Sequence, residues 1–319
     1  VKGSGRNIIE IRNLTKKFGS FTAVDKINLK VREGEIFGFL GPNGAGKTTT
    51  ISMLNTLIKP TSGTATIDGH DMTGEGIHIR NIIGVVPQTF ALFPELTGEE
   101  NLAYIGKLYG LAQEEIKKKS EYLLKEVSLY DHRDRIAGVY SGGMKQRLSL
   151  AASLMSNPKI LFMDEPTTGL DPQSRIRMRE LTKQLNRQGM TIVYTTHDMD
   201  EAEKICDTIT IMDKGRIAAQ GTAEELKHMI TKFHTIEVEI ENPSKAIFEE
   251  LKKLSFVEKV ESAQNGELII ISVKKKDAVF YKLSDFFHRR KQKVLEIRFV
   301  EPSLEDVFIE LTKKDLRDG

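Results

Sequence analysis

The sequence predicts an α/β protein with a parallel core sheet, an antiparallel β subdomain and a helical subdomain, followed by a small α+β domain. Three observations carry this. Short apolar runs such as "IFGFL", "KILFM" and "MTIVYTT" alternate with amphipathic stretches of helical period, as in a parallel sheet buried on both faces. Upstream of them, "IIEIRNL", "FTAV" and "INLKV" alternate with period two and are broken by "FGS" and "REGE", as in antiparallel strands with tight turns. Beyond about residue 234 the order becomes strand, helix, strand, strand, helix, strand, the ferredoxin-like split unit. The expected domains are therefore 8–225 and 234–319.

Taken in order, the run "EIFGFL" ends at a Gly-rich loop, and Thr48 to Ile58 reads as a helix stopped before Pro60. "GTATIDG" returns to strand. "TGEE" from Thr97 is a capping-box signal with Glu100 three residues on, and "EEIKKKSEYLLKEV" carries Glu-to-Lys pairs four apart. "RLSLAASLM" and "RIRMRELTKQLNRQG" are helical, "KILFMDE" and "MTIVYTTH" are buried strands, and "TITIMDKGRIAAQG" is a hairpin turning at Asp213, Lys214 and Gly215. The helix "AEELKHMI" leads to the second domain, which contains a turn at Asn265-Gly266 and a last helix from Ser303.

Composition narrows the function. The 47 basic and 45 acidic residues of this 319-residue chain nearly cancel, which argues against a nucleic-acid partner. The one cysteine, Cys206, excludes an intramolecular disulfide and fits a reducing cytoplasm. No apolar run approaches the roughly 18 residues of a spanning helix, so any membrane contact is expected to be peripheral. The N-terminal "VKGSGRN" lacks the apolar core of a signal peptide and contributes nothing to the fold reading.

"GPNGAGKTT" has the phosphate-loop pattern, with Gly41, Gly46, Lys47 and Thr48 in the required places between a strand and a helix. Backbone N–H groups along Gly41, Asn43, Gly44, Ala45, Gly46 and Thr49 are expected to wrap phosphates. Lys47 adds a positive charge, and Thr48 offers a hydroxyl to Mg²⁺. "ILFMDEP" places Asp164 and Glu165 at a strand end, where one carboxylate can serve the metal and the other can polarise water. "YSGGMKQR" sets Ser141, Gly142 and Gly143 before a helix, a second step able to present N–H groups to an anion.

The order phosphate loop, "VVPQ", "YSGGMKQR", "ILFMDEP", "GLD" and "TTHD", from about residue 8 to 225, resembles the ATP-binding subunit of ABC transporters. The resemblance implies ATP and Mg²⁺ as ligands, with Thr48, Gln88 and Asp164 at the metal. It further implies Gln88 as the Q-loop residue linking to the membrane partner, Glu165 as catalytic base, Asp171 as the D-loop aspartate and His197 as the switch histidine on the γ-phosphate. Phe18 resembles the aromatic that stacks on adenine, the alternative being a strand core residue. The resemblance also implies a head-to-tail dimer, of two copies or with a paired ABC subunit. There Ser141 to Gly143 of one subunit close the ATP site of the other, at the cytoplasmic face of a membrane beside a separate permease.

The signature departs from Leu-Ser-Gly-Gly-Gln, having Tyr140 and Met144 at its outer positions while Ser-Gly-Gly is kept. The tail "FVEPSLEDVFIELT" is similar to that of the drug, antibiotic and sodium export branch. Its role is open between regulation, dimer contact and ligand sensing. The basic run His288 to Lys293 reads as a solvated helix end, with anionic lipid as the alternative. A soluble relative acting on ribosomes or DNA ends is disfavoured by the single module and by the 53 residues from Gln88 to Ser141, which leave no room for a long inserted coiled coil. A non-hydrolysing sensor is disfavoured by the presence of Glu165 and His197.

Overall fold

The computed structural model describes residues 5–230, 234–241, 245–263, 267–273 and 279–315. The chain divides into two compact units, Val1–Ala223 and Glu224–Gly319. In the first, β1 (Asn7–Phe18) and β2 (Phe21–Arg32) form an antiparallel hairpin, and β3 (Ile36–Leu40) opens the core sheet. Then follow α1 (Lys47–Leu54), β4 (Ser62–Ile67), β5 (His70–Asp71), α2 (Gly76–Ile82) and β6 (Ile83–Val86). The helical segment holds α3 (Gly98–Leu108), α4 (Gln113–Glu126) and α5 (Gly142–Ser153). The chain returns through β7 (Ile160–Asp164), α6 (Pro172–Arg187), β8 (Thr191–Thr196), α7 (Met199–Ile205), β9 (Thr208–Asp213) and β10 (Arg216–Gly221).

Two sheets result. β2-β1-β4-β5 is antiparallel, and β10-β9-β3-β8-β7-β6 is parallel except for the β9–β10 hairpin at its edge. Every residue of β3, β7 and β8 is buried, which is why these strands read as continuous apolar runs. One apolar cluster joins the antiparallel sheet and α1 to a face of the core strands, including Phe37, Phe39 and Phe162. The opposite cluster joins Leu161, Met163 and Tyr194 to the helices, including Leu102, Leu124 and Leu148. Each large side chain so buried contributes about 1.5–3 kcal/mol.

Local signals explain most boundaries. Thr97 accepts the Glu100 N–H while the Glu100 carboxylate accepts the Thr97 N–H, so both arms of the expected capping box start α3. The hairpin turn rests on Lys214 and Gly215, both with positive φ. The expected helix from Thr48 to Ile58 is shorter. It ends at Leu54 because Thr56 turns left-handed at φ 59° and the N–H groups of Leu57 and Ile58 fold back onto the Ser52 carbonyl, well before Pro60.

The second unit begins within α8 (Ala223–Ile230). It continues through β11 (His234–Ile240), α9 (Lys245–Leu251), β12 (Val257–Ala263), β13 (Leu268–Val273), α10 (Val279–Arg289), β14 (Val294–Val300) and α11 (Leu304–Asp315). Its sheet runs β12-β13-β11-β14, all antiparallel, so the first and third strands are central as in the split unit read from the sequence. Ile236, Val238, Ile269 and Ile271 bury one face with Leu283 and Phe287 of α10. The turn expected at Asn265-Gly266 lies outside the described residues. In the basic run, Arg289 pairs with Asp285, Arg290 with Glu250 and Lys293 with Glu241, so carboxylates of the same unit neutralise much of its charge. Among the described residues no helix is long and apolar enough to cross a membrane.

Candidate active site

The carboxyl ends of β6, β7, β3 and β8 lie at one edge of the core sheet, where open α/β sheets place their ligands. The loop after β3 is shaped by Gly44 at φ 84° and Gly46 at φ 104°. A Cβ on Gly46 would lie 2.6 Å from the Ala23 carbonyl oxygen, and one on Gly41 would lie 2.2 Å from that of Met212. Close backbone approach therefore demands glycine at both. The loop leads into α1, whose N-terminus offers uncovered N–H groups to an anion.

Beside it is a cleft of 350 Å³ lined by Asn43, Gly44, Gly46, Lys47, Thr48, Thr49, Gln88 and Glu165, with Phe21 and Ala23 at its side. Lys47 is 4% exposed. Its Nζ donates to the carbonyls of Gly41 at 2.7 Å and Pro42 at 3.1 Å, and lies 3.3 Å from Glu165 Oε1. Thr48 Oγ1 donates to Asp164 Oδ1 at 3.3 Å.

Glu165 is the centre of this cluster. Its Oε2 lies 3.0 Å from His197 Nδ1 and accepts from Thr168 Oγ1 at 3.1 Å and Gln88 Nε2 at 3.5 Å. Four loops thus meet on one carboxylate. Its backbone is left-handed, φ 45°, and its N–H donates to Thr195 Oγ1 at 2.9 Å. The Thr195 hydroxyl in turn donates to Asp164 Oδ1 at 2.6 Å, so a single fully buried threonine fixes both acids. Sequence reading missed Thr195 and Thr168, since a hydroxyl in an apolar strand or a loop carries no motif of its own.

The oxygen set suits Mg²⁺. Thr48 Oγ1, Asp164 Oδ1 and the Gln88 side chain supply hard donors, and a site of this kind relies on substrate phosphates rather than on a protein cage. Among the described residues no group of three or more His, Cys, Asp or Glu could hold a metal ion.

The remaining expected residues lie apart from this cleft. Ser141 is the N-cap of α5, its hydroxyl accepting the Met144 N–H at 3.3 Å. Gly143 faces Ser174, whose N–H is capped by Asp171 Oδ1 at 3.0 Å. Those bonds from Ser174 hold the Asp171 carboxyl below the usual range. Ser141 to Gly143 and Asp171 are thus neighbours of one another and do not line the cleft. Tyr140 is buried and donates its hydroxyl to the His132 carbonyl at 2.6 Å, which explains a tyrosine at this position. Met144 packs against the helical-side core. Phe18 is 51% exposed beneath the Lys16 ammonium and is not among the lining residues.

Comparison with known proteins agrees with this geometry. The sequence profile described as ABC transporter matches residues 24–168. The linearmycin resistance ATP-binding protein of Bacillus subtilis is 39% identical over 311 residues, 98% of this chain and 100% of that one. The Nod factor export ATP-binding protein I of Ralstonia nicotianae is 38% identical over 313 residues, 98% of this chain and 95% of that one. The daunorubicin/doxorubicin resistance ATP-binding protein of Streptomyces peucetius is 44% identical over 219 residues, 69% of this chain and 66% of that one.

Among solved structures, an ATP-binding cassette described as a dimer in a post-hydrolysis state with ADP and Pi superposes with a TM-score of 0.62 at 32% identity, covering 67% of this chain and 98% of that one. An ATP-binding subunit of an ABC transporter gives 0.63 at 29% identity, covering 70% and 92%. With relatedness running the length of whole relatives and a phosphate loop, acid pair and histidine converging on one sheet edge, this chain belongs to the ATP-binding subunits of ABC transporters and is an ATPase.

Proposed function

We propose that the chain hydrolyses ATP at the interface of a head-to-tail dimer and thereby powers export of an amphiphilic, drug-like, lipid or ionic substrate through a separate membrane permease. The convergence of Lys47, Gln88, Thr168 and His197 on Glu165 carries the reading. Glu165 is the base. Lys47 and the N–H groups of the loop bind the β- and γ-phosphates. Thr48, Asp164 and Gln88 would hold Mg²⁺, which would supply charge neutralisation during transfer of the γ-phosphoryl group. Binding of phosphate draws Lys47 from Glu165 Oε1, freeing that oxygen to orient water. The water oxygen forms the new bond to Pγ, the bond from Pγ to the β–γ bridging oxygen breaks, and the water proton passes to Glu165. His197 holds Oε2 and reaches the γ-phosphate. Phe18, exposed at the tip of the β1–β2 hairpin, stacks on adenine once the Lys16 ammonium over its ring gives way.

One element is missing from the cleft of a single chain. Donors for the far side of the γ-phosphate are available at Ser141, Gly142 and Gly143, with Asp171 beside them, and a two-fold partner supplies them. The loop after Gln88 exposes Phe90 and Phe93, the latter edge-on to Tyr104 at 4.5 Å, an aromatic surface suited to the permease at the cytoplasmic face of the membrane. Export follows from relatives named for drug resistance and Nod factor export. In this reading residues 8–225 are the ATPase domain and 234–319 an accessory domain. Glu165→Gln tests the reading: it should bind ATP and accumulate an ATP-bound dimer by size-exclusion chromatography. Wild-type hydrolysis would refute the assignment, and ribosome or DNA co-purification in place of a membrane protein would refute transport.

A further inference from the structure

One buried carboxylate remains unused. Glu201 is 4% exposed and its carboxylate meets two threonine hydroxyls, Thr167 Oγ1 donating at 2.6 Å and Thr196 Oγ1 at 3.2 Å, both to Oε2. Burying a carboxylate on neutral donors is costly, so its retention there calls for a reason.

Local capping does not provide it. Asp198 and Glu201 stand three apart at the start of α7, the spacing of a capping box, and the forward arm is present: Asp198 Oδ1 accepts the Glu201 N–H at 3.0 Å. At α3 the return arm is also made, from the Thr97 N–H to Glu100. At α7 the Asp198 N–H goes instead to Thr196 Oγ1 at 2.9 Å, which releases the Glu201 carboxylate to reach another loop.

That loop is the one joining Glu165 to Asp171. Thr168, next to Thr167, donates its hydroxyl to Glu165 Oε2, while His197, next to Thr196, contacts the same oxygen. Glu201 therefore ties together, from beneath, the two segments that converge on the Glu165 carboxylate. We infer that Glu201 is a positioning residue for hydrolysis, holding the loop that begins at the base and ends at Asp171 in register with the strand end bearing His197. The inference rests on the proposed role of Glu165. It extends that role by joining the hydrolytic carboxylate to the Asp171 end of the loop through one buried anchor.

Thr167→Val tests this without a change of side-chain volume. It should lower kcat for ATP hydrolysis about ten- to a hundredfold, the range for losing a hydrogen bond to a charged group. Affinity for a fluorescent ATP analogue should stay within about twofold of wild type, because the bond acts on register rather than on phosphate binding, while the urea midpoint should fall as the buried carboxylate loses its shorter donor. Glu201→Leu should match that kcat loss, and Glu201→Gln, whose remaining oxygen can accept both hydroxyls, should keep most of the activity. Wild-type kcat in Thr167→Val would overturn the inference. So would parallel loss of kcat and nucleotide affinity, or a Glu201→Gln variant as impaired as Glu201→Leu. Glu165→Gln run alongside separates the two readings: wild-type hydrolysis there removes the base assignment, whatever Thr167 does.

Discussion

The most quantitative expectation concerns Tyr140, whose hydroxyl serves two neighbours at once. It donates to the His132 carbonyl at 2.6 Å, and a Cβ on Gly98 would lie 2.5 Å from it. Tyr140→Phe keeps the ring and removes one of the two donors to the partly buried His132 carbonyl, which still accepts the Arg135 N–H at 3.0 Å, costing about 0.5–1.5 kcal/mol. Gly98→Ala alone forces a clash with the hydroxyl, costing about 1–3 kcal/mol by overpacking. Once Tyr140→Phe has removed that hydroxyl, the nearest remaining atoms are the Arg133 oxygen at 3.3 Å and the ring carbon at 3.4 Å, contacts that small shifts relieve. The second substitution should then cost less than about 1 kcal/mol, and alanine's better helix propensity can offset it. Urea unfolding of the four proteins of this cycle gives the coupling, about 1–2 kcal/mol, or a few degrees in Tm for a unit of this size. Additive losses would refute the shared-hydroxyl account of this tyrosine.

Other expectations follow from single contacts. Glu165→Gln should lower the hydrolysis rate about 10²–10⁴-fold while ATP affinity is kept, checked by phosphate release and nucleotide titration. Burial, with the Asp207 and Glu201 carboxylates nearby, raises the partly buried Cys206 thiol above its ordinary range, so alkylation at pH 8 should be slower in the folded protein than in urea, checked by mass spectrometry. Gly38→Ala, whose Cβ would lie 2.6 Å from Cys206 Sγ, should lower stability by about 1–3 kcal/mol. Burial raises the Glu35 carboxyl, so the folded state holds its proton more tightly than the unfolded chain. Its contribution to stability is therefore greatest at low pH and falls as pH rises through that window, and Glu35→Gln should gain on wild type over the same window in urea titrations. Because Arg289, Arg290 and Lys293 are paired within their own unit, sedimentation with anionic vesicles should show no salt-sensitive binding driven by this run.

What the sequence made legible was whatever repeats a strong local rule. Buried strands of five or six apolar residues, the Thr97 capping box and the Gly-rich loop are each set by their own residues, and each stands where it was expected. Short elements were not legible: α2 and α7 have seven residues each, too few for periodicity to show. The length of α1 was misread because its end depends on carbonyl bonding at Ser52 and a left-handed Thr56, and only Pro60 was visible beforehand.

The same division holds at the site. Lys47, Thr48, Asp164, Glu165, Gln88 and His197 belong to motifs and meet as expected. Thr195, Thr167 and Glu201 act through contacts about 30 residues apart in the chain, which no local pattern encodes. The Asp-x-x-Glu spacing at Asp198 was the only available hint, and it reads as an ordinary helix start.

If two chains build each hydrolytic site, mixing two differently disabled subunits should restore activity that neither has alone. Lys47→Ala disables the phosphate loop and Ser141→Arg blocks the signature, so each variant alone should be inactive. In an equal mixture, half of the randomly assembled dimers hold one intact site of two, and about a quarter of wild-type activity should return. No recovered hydrolysis at any mixing ratio, with both variants folded and dimer-competent, would contradict the shared site.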